Sequence, residues 1–219
     1  MGVLLMLMTI GGLLMAAVLF AIGWLNESGW LKKFVAGGVA IWLGFYLIIL
    51  LSVSFTSVEK VLKMNEPKEF CGFYLDCHMH TAVSGVRRSK TLGDLKAKGE
   101  FYIVKVNVFS NAGRATLGLS AVDSHVVDGD GNKYTRDKAA ESELPPQPGF
   151  ETKVGPEEGF DKEIVFDLSL NVKEARLDIS EGLWLERMIE AFLVGDEDSL
   201  NHRRTYFDIS EQKQVAGVK

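Results

Sequence analysis

Two long apolar stretches at the N-terminus constrain the fold of this 219-residue chain more than any other feature. They cover 2–25 and 34–55, and neither contains Asp, Glu, Lys or Arg. A helix of roughly 20 residues, rising about 1.5 Å per residue, crosses the hydrocarbon core of a bilayer. We therefore expect residues 1–57 to form a transmembrane helical hairpin. The alternative for the first stretch is a signal peptide, but its start has no basic residues and its apolar run is unusually long for one.

The charges beside the spans predict the orientation. Lys32 and Lys33 lie between the two stretches, and the positive-inside rule places such a connection in the cytoplasm. Both ends of the hairpin then face outward. The domain after Phe55 is accordingly expected outside the cytoplasm.

Glycines inside the spans favour close helix packing. They are Gly11, Gly12, Gly37, Gly38 and Gly44. Small residues let helix backbones approach each other in lipid, either within this hairpin or against a larger membrane complex. Because no ionisable residue interrupts the spans, a single copy is not expected to act as a transporter or channel. The bilayer is thus one predicted partner, and other membrane subunits are another.

About 160 residues follow the hairpin, enough for one domain with its own core. We predict a juxtamembrane linker over 58–69, a domain over 70–210 and a C-terminal tail over 211–219. The proline-rich stretch 141–149 is expected to be a surface loop within that domain. The net charge of −5 argues against nucleic acid as a partner.

Alternating apolar residues predict strands in this domain. In the stretch 100–109, Tyr102, Val104, Val106 and Val108 share one face, as in a half-buried strand. Similar patterns predict strands within 115–121, 124–134, 160–168, 175–179 and 204–209, the second of these ranges forming a hairpin around a glycine-rich turn. Short strands separated by turns indicate an antiparallel β-sandwich.

A helical repeat interrupts the strands between Leu183 and Leu193. It predicts a short amphipathic helix that either seals one end of the sandwich or presents Trp184 and Met188 to a partner. Sealing is the interpretation that we favour from sequence.

Four segments together resemble a known family. They are 98–108, Asn111-Ala-Gly113, 126–134 and 204–209. As a set they resemble the bacterial extracytoplasmic domain of unknown function with a telokin-like, immunoglobulin-related fold. The resemblance implies an all-β, immunoglobulin-like sandwich behind a lipoprotein signal or a membrane helix, and it supplies no reaction. This chain departs from the family by its two spans and by the helical insert near Leu185. The expected fold is therefore two transmembrane helices followed by an immunoglobulin-like sandwich with a helical insert. The expected location, from the spans and their flanking charges, is a bacterial inner membrane, with the N-terminus and the C-terminal domain in the periplasm.

The two cysteines of the chain, Cys71 and Cys77, stand close to His78 and His80. An oxidising compartment favours a structural disulfide between the cysteines. The alternatives are free thiols or a soft-metal site that uses both cysteines and both histidines. Strand alternation argues against the metal site, because His78 and His80 would face away from Cys77.

Other motifs point away from catalysis. The stretch Asp128-Gly-Asp-Gly-Asn132 resembles a calcium loop, but Ala139 occupies the position of the bidentate Glu, so a hairpin turn is expected. The acidic group 196–198 beside 202–204 is interpreted as a surface charge cluster. The chain contains no nucleophile elbow, phosphate loop, dinucleotide fingerprint or zincin helix. No cofactor is expected.

The sequence favours a non-catalytic interaction protein. We expect an accessory or scaffold subunit that stabilises a larger bacterial membrane complex, of respiratory or photosynthetic type, through its helices and its periplasmic sandwich. The alternative is a periplasmic metal-handling or thiol redox protein that uses Cys71, Cys77, His78 and His80.

Overall fold

The computed structural model describes residues 2–71 and 77–210 of the chain, in two compact units. The first unit contains the residues up to Val58 together with Trp184–Arg204. The second contains Glu59–Leu183 and the residues from Thr205 onward. The predicted tail over 211–219 lies outside the described residues.

The first unit is built on two long apolar helices, α1 (Gly2–Leu25) and α2 (Gly29–Thr56). Both are long and apolar enough to cross a bilayer, so the predicted pair of helices is confirmed as structure. Helix α2 begins before its apolar run and includes Lys32 and Lys33, which shortens the connection to three residues. The indole of Trp42 donates a hydrogen bond to the Thr9 hydroxyl at 3.1 Å and links the two helices.

The second unit is a β-sandwich of two sheets. One sheet has the strand order β1-β9-β8-β5-β6 and the other β2-β3-β4-β7. All pairs are antiparallel except β1 with β9. The strands are β1 (Lys60–Leu62), β2 (Lys68–Phe70), β3 (Met79–Leu92), β4 (Leu95–Ser110), β5 (Asp123–Val127), β6 (Lys133–Thr135), β7 (Gly159–Leu168), β8 (Arg176–Ser180) and β9 (Thr205–Asp208).

The core lies between the two sheets and follows the predicted alternation. Tyr102, Val104, Val106 and Val108 of β4 are buried there, opposite Leu177 and Ile179 of β8 and Phe207 of β9, among others. The predicted strands around 160–168, 175–179 and 204–209 and the 124–134 hairpin are confirmed as β7, β8, β9 and β5–β6. The stretch 115–121 forms only one isolated bridge, between Leu117 and Val154.

A second, smaller core covers the other face of β4. Phe101 and Ile103 pack there with Val165, beneath the short helix α3 (Lys138–Glu141) and Leu144. The proline-rich stretch 141–149 is therefore fastened to the sandwich. The Gln147 side chain exchanges two hydrogen bonds with the backbone of Glu163, both at 2.7 Å, and so imitates a neighbouring strand.

Two predicted boundaries differ from the structure. The expected linker over 58–69 contains β1 and most of β2, which belong to the sandwich. The predicted short helix exists as α4 (Trp184–Glu190), but the segment Trp184–Arg204 belongs to the unit of the long helices. The structure therefore groups Trp184–Arg204, which the sequence placed in the 70–210 domain, with the long helices.

Candidate functional site

Cys71 and Cys77 form a disulfide between β2 and β3. The predicted bond is therefore present, and both thiols are consumed by it. The intervening residues 72–76 lie outside the described residues. The bond closes a short loop at one end of the sandwich, where it joins two strands that already pair with each other.

The two histidines next to the disulfide have separate structural partners. The His78 Nδ1 atom lies 2.7 Å from Oδ1 of Asn111, and the buried His80 ring stacks on Phe109 with 5.2 Å between centroids. Within residues 2–71 and 77–210, no group of three or more His, Cys, Asp or Glu side chains is placed to hold a metal ion. The thiolate-based alternative from the sequence thus requires the disulfide to be reduced first.

A buried charge cluster between the sheets was not predicted. The Lys68 ammonium donates to the carbonyl of Ile179 at 2.7 Å and to that of Thr205 at 3.4 Å. It also lies 3.9 Å from the Asp178 carboxylate, whose other oxygen is 3.7 Å from Nε2 of His125. Because the β8–β9 pairing ends at Leu177 and Phe207, Lys68 satisfies carbonyls beyond the last paired residues.

The carboxylate of Asp128 organises the β5–β6 turn. Asp128 accepts hydrogen bonds from the backbone N–H groups of Asp130 and Asn132, from the Asn132 amide and from the Tyr134 hydroxyl. The Asn132 side-chain hydrogen bond and the other donors lower the pKa of Asp128 below its ordinary value. The expected hairpin turn is confirmed, and its acceptor oxygens are already occupied.

A groove of about 820 Å³ crosses the edge of the sandwich, next to β6 and the start of β4. Within it, Arg136 is paired with Glu141 at 2.6 Å, and Asp167 accepts the backbone N–H groups of Lys98 and Gly99. The exposed positive charge of the groove therefore comes from three lysines, Lys98, Lys133 and Lys138. Asp137 and Asp167 line the groove as well, so its charge is mixed, with a small positive excess.

The five span glycines have open space at the position that a side chain would occupy. A Cβ atom added at Gly11, Gly12, Gly37, Gly38 or Gly44 would meet no heavy atom within 4 Å. Their role in helix packing, whether within the hairpin or against a larger complex, stays a prediction. The glycine of α1 that is buried is Gly23, where an added Cβ would lie 3.3 Å from the Leu31 side chain. Its position just before the turn between the helices is the sequence signal that could have identified it.

Two of the open glycines, Gly12 and Gly38, border an apolar groove along the seam of the hairpin. This groove of about 370 Å³ also includes Phe34 and Trp42. Another of about 650 Å³ continues past Ala16, Val39 and Trp24, among others. These surfaces are free of charged side chains and shaped by small residues, so they suit an apolar helix or acyl chain.

The insert Trp184–Arg204 packs on the same two helices. Three hydrogen bonds attach it to α2: the Tyr46 hydroxyl donates to the Phe192 carbonyl at 2.6 Å, the Ser54 and Ser199 hydroxyls share a bond of 3.3 Å, and the Arg203 N–H donates to the Ser57 hydroxyl at 2.8 Å. A Cβ at Gly2 would lie 2.1 Å from the Val194 carbonyl oxygen, so the start of α1 touches the insert as well. Trp184 and Met188 stay exposed.

The polar turn of the insert is internally paired. Arg204 binds Asp198 at 2.8 Å, and Asp196 accepts the N–H of Asp198 at 2.9 Å. Burial raises the pKa of Asp196 above its ordinary value. The sequence predicted a surface cluster of charges at 196–198 and 202–204. In the structure, some of these charged groups are hydrogen-bonded to each other within one turn.

The geometry defines a class: a disulfide-bearing β-sandwich with two apolar helices before it in the chain. Residues 76–189, just over half of the chain, match DUF4352, a domain of unknown function, and the chain belongs to that family. The predicted resemblance to a domain of unknown function is confirmed at this level. No curated protein matches the chain.

Three solved structures are similar, at TM-scores too low to support an argument. A secreted protein from Mycobacterium tuberculosis, MPT63, is 14% identical over 57% of this chain and 98% of its own, with a TM-score of 0.39. A conserved hypothetical protein from Bacillus anthracis is 15% identical over 52% of this chain and 86% of its own, with a TM-score of 0.38. An uncharacterized β-sandwich protein from Clostridium difficile is 9% identical over 70% of this chain and 97% of its own, with a TM-score of 0.38.

Proposed function

We propose that this protein is a membrane-anchored accessory subunit that binds rather than catalyses. In this proposal α1 and α2 span a bacterial inner membrane twice, and the immunoglobulin-like sandwich stands on the periplasmic side. The helices dock into a larger membrane complex. The observation that carries the proposal is the open glycine surface of two apolar helices.

Exposure of the helices supports a lipid environment. Most of their large apolar side chains, such as Leu14, Val18 and Ile41, are well over a third exposed. Apolar surface in water costs roughly 25 cal/mol per Å², so a surface of this extent is unfavourable outside a bilayer or a protein interface. The spans themselves carry no Asp or Glu, and Lys32 and Lys33 at the connection favour the two-pass topology.

One further feature supports the periplasmic side for the sandwich, and another offers the sandwich a contact with a partner. The closed Cys71–Cys77 bond is the state expected in an oxidising compartment. The lysine groove at Lys98, Lys133 and Lys138 offers the sandwich a contact for an acidic segment of a neighbouring subunit. Helices and sandwich would then each contribute a separate contact to the complex.

Mild detergent extraction from the native membrane, followed by size analysis and identification of co-purifying chains, tests the proposal. The informative variant is Gly12→Leu with Gly38→Leu, because an added Cβ at either position meets nothing in this chain. Leu also has the higher helix propensity, by up to about 1 kcal/mol per site, so the hairpin itself is not weakened. The matched control is Val18→Leu, which adds bulk at an exposed position away from the glycines.

We expect the wild-type protein and Val18→Leu to co-purify with the same partners, and the double-leucine variant to lose them. Migration of the wild-type protein as a lone chain would refute the accessory role. Retention of partners by the double-leucine variant would refute docking through the glycine face. Reversal of the three groove lysines to Glu then tests whether the sandwich holds the complex.

A further inference from the structure

The insert Trp184–Arg204 follows α2 outward, away from the inter-helix turn. Its successive contacts are Phe192 with Tyr46, Ser199 with Ser54 and Arg203 with Ser57. Tyr46 and Ser57 are eleven residues apart, which is about 16 Å along a helix. The insert therefore spans a considerable depth along the outer end of the hairpin.

The start of α1 indicates where that depth meets the bilayer surface. Thr9 and Trp42 lie at one level because they share a hydrogen bond. Since the helices run in opposite directions, Gly2, seven residues before Thr9, lies near the level of Ile49. Helix α1 has 24 residues and is about 36 Å long, slightly more than the roughly 30 Å of the hydrocarbon core, so the core ends near that level. Tyr46 is then about 5 Å inside it.

Polarity along the insert matches this depth. Phe192, whose carbonyl accepts the hydrogen bond of Tyr46, is 54% exposed, and Trp184 and Met188 of the preceding helix α4 are 73% and 53% exposed. The bonded charges of Asp198 and Arg204 flank Ser199, which binds Ser54 about two helical turns beyond Tyr46. Phe192 thus lies at the level of the lipid interface, and the charged groups lie further out.

We infer that the insert is an interfacial membrane element, with Trp184, Met188 and Phe192 in contact with lipid at the outer boundary of the bilayer. Tryptophan and amphipathic helices of this kind favour the headgroup boundary. A lipid occupant is indicated because Phe192 lies beside the exposed apolar surface of α2 at the level of Tyr46, and because Trp184 and Met188 of the adjoining helix α4 are exposed as well. The inference rests on the proposed membrane anchoring, and it adds a third lipid contact, made by a segment between two strands of the sandwich.

Quenching of Trp184 fluorescence in liposomes tests the inference. The chain has four tryptophans, and Trp24→Phe, Trp30→Phe and Trp42→Phe leave Trp184 as the single reporter. The full-length variant is reconstituted in phosphatidylcholine vesicles with acyl chains brominated at shallow or deep positions. In the matched control, Trp184 is also replaced with Phe, and Lys98→Trp supplies the single reporter. This tryptophan lies in the exposed groove of the sandwich.

We expect shallow-brominated lipid to quench Trp184 several-fold more than it quenches the groove tryptophan of the control, and aqueous acrylamide to do the reverse. Quenching of Trp184 by acrylamide as strong as in the control would overturn the inference. Quenching by neither reagent would overturn it too, because protein rather than lipid would then cover the residue. Failure of the wild-type chain to float with vesicles would instead refute membrane anchoring.

A second measurement guards against misfolding of the triple-phenylalanine variant. Met188→Cys in the otherwise natural chain, with the Cys71–Cys77 disulfide left oxidised, takes a nitroxide spin label. In vesicles the label should relax more with oxygen than with a water-soluble nickel chelate. The opposite preference would place Met188 in water and contradict the inference.

Discussion

The buried Lys68 provides a sharp test of what holds the two sheets together. Its side chain is 3% exposed and that of Asp178 is 1% exposed, so the pair is out of water. Lys68→Met keeps most of the apolar stem but removes the ammonium group. The change leaves the Asp178 carboxylate without this cation and the Ile179 carbonyl without its 2.7 Å donor.

The expected loss follows from these contacts. Removing one partner of a buried ion pair costs about 3–5 kcal/mol, and leaving a buried carbonyl unsatisfied costs about 1–3 kcal/mol. These costs overlap, and His125 still faces Asp178, so we expect the lower end, about 3 kcal/mol. At roughly 2–4 °C per kcal/mol for a chain of this size, the melting temperature should fall by about 6–12 °C.

Thermal unfolding followed by circular dichroism in detergent measures this loss. Tryptophan fluorescence would not report on the sandwich, because all four tryptophans lie in the other unit. Lys133→Met is the control, since that lysine is exposed and its loss should cost less than about 0.5 kcal/mol. In an Asp178→Asn background the penalty of Lys68→Met should shrink by at least about 1 kcal/mol. An equal penalty in both backgrounds would refute the charge coupling, and a penalty no larger than that of the control would refute the whole argument.

Three more outcomes are expected for the sandwich. Asp128 should stabilise the fold above the ordinary carboxyl pKa and lose that effect as pH falls through its lowered folded value, so Asp128→Asn should flatten the acid side of a plot of melting temperature against pH. Gly99→Ala should destabilise by about 1–3 kcal/mol in thermal melts, because its Cβ would lie 1.9 Å from a backbone oxygen, whereas Gly113→Ala, with open space, should not. Replacing Cys71 and Cys77 with Ser should cost about 2 kcal/mol, given the short loop, and reductant should lower the wild-type melting temperature to match.

Alternation along single strands accounts for what could be predicted of the fold. The pattern in 100–109 places Val104, Val106 and Val108 in the core as the structure has them. It does not reveal that Phe101 and Ile103 are also buried, because their cover comes from Leu144 and α3, about 40 residues later. A strand covered on both faces carries no alternation by which to recognise the second face.

The missed strands β1 and β2 have a related cause. Each has three residues, too few for a periodic pattern, and β1 pairs with β9, which lies more than 140 residues later. Lys68 in β2 looks like a solvated residue by type, and lysines are seldom buried. Only the unpaired carbonyls of distant strands explain its position, and a single sequence does not show them.

The insert illustrates the same limit for the candidate site. Helical spacing predicts α4 correctly, but spacing does not say which surface the helix covers. The insert binds the hydroxyls of Tyr46 and Ser54 on α2 and of Ser57 just after it, and the first two residues look ordinary in an apolar run. A hydroxyl inside a predicted span is nevertheless a usable signal, because in lipid it needs a partner from nearby protein.

Chain connectivity ties the insert to the sandwich. β9 lies between β1 and β8 in its sheet, and β1 pairs with no other described strand. The chain reaches β9 only after leaving β8 and passing through Trp184–Arg204. When the insert is fastened to α2, part of the connection is already ordered, and less loop entropy opposes the pairing of β9. Loosening the insert should therefore weaken first the edge of the sheet that contains β1 and β9.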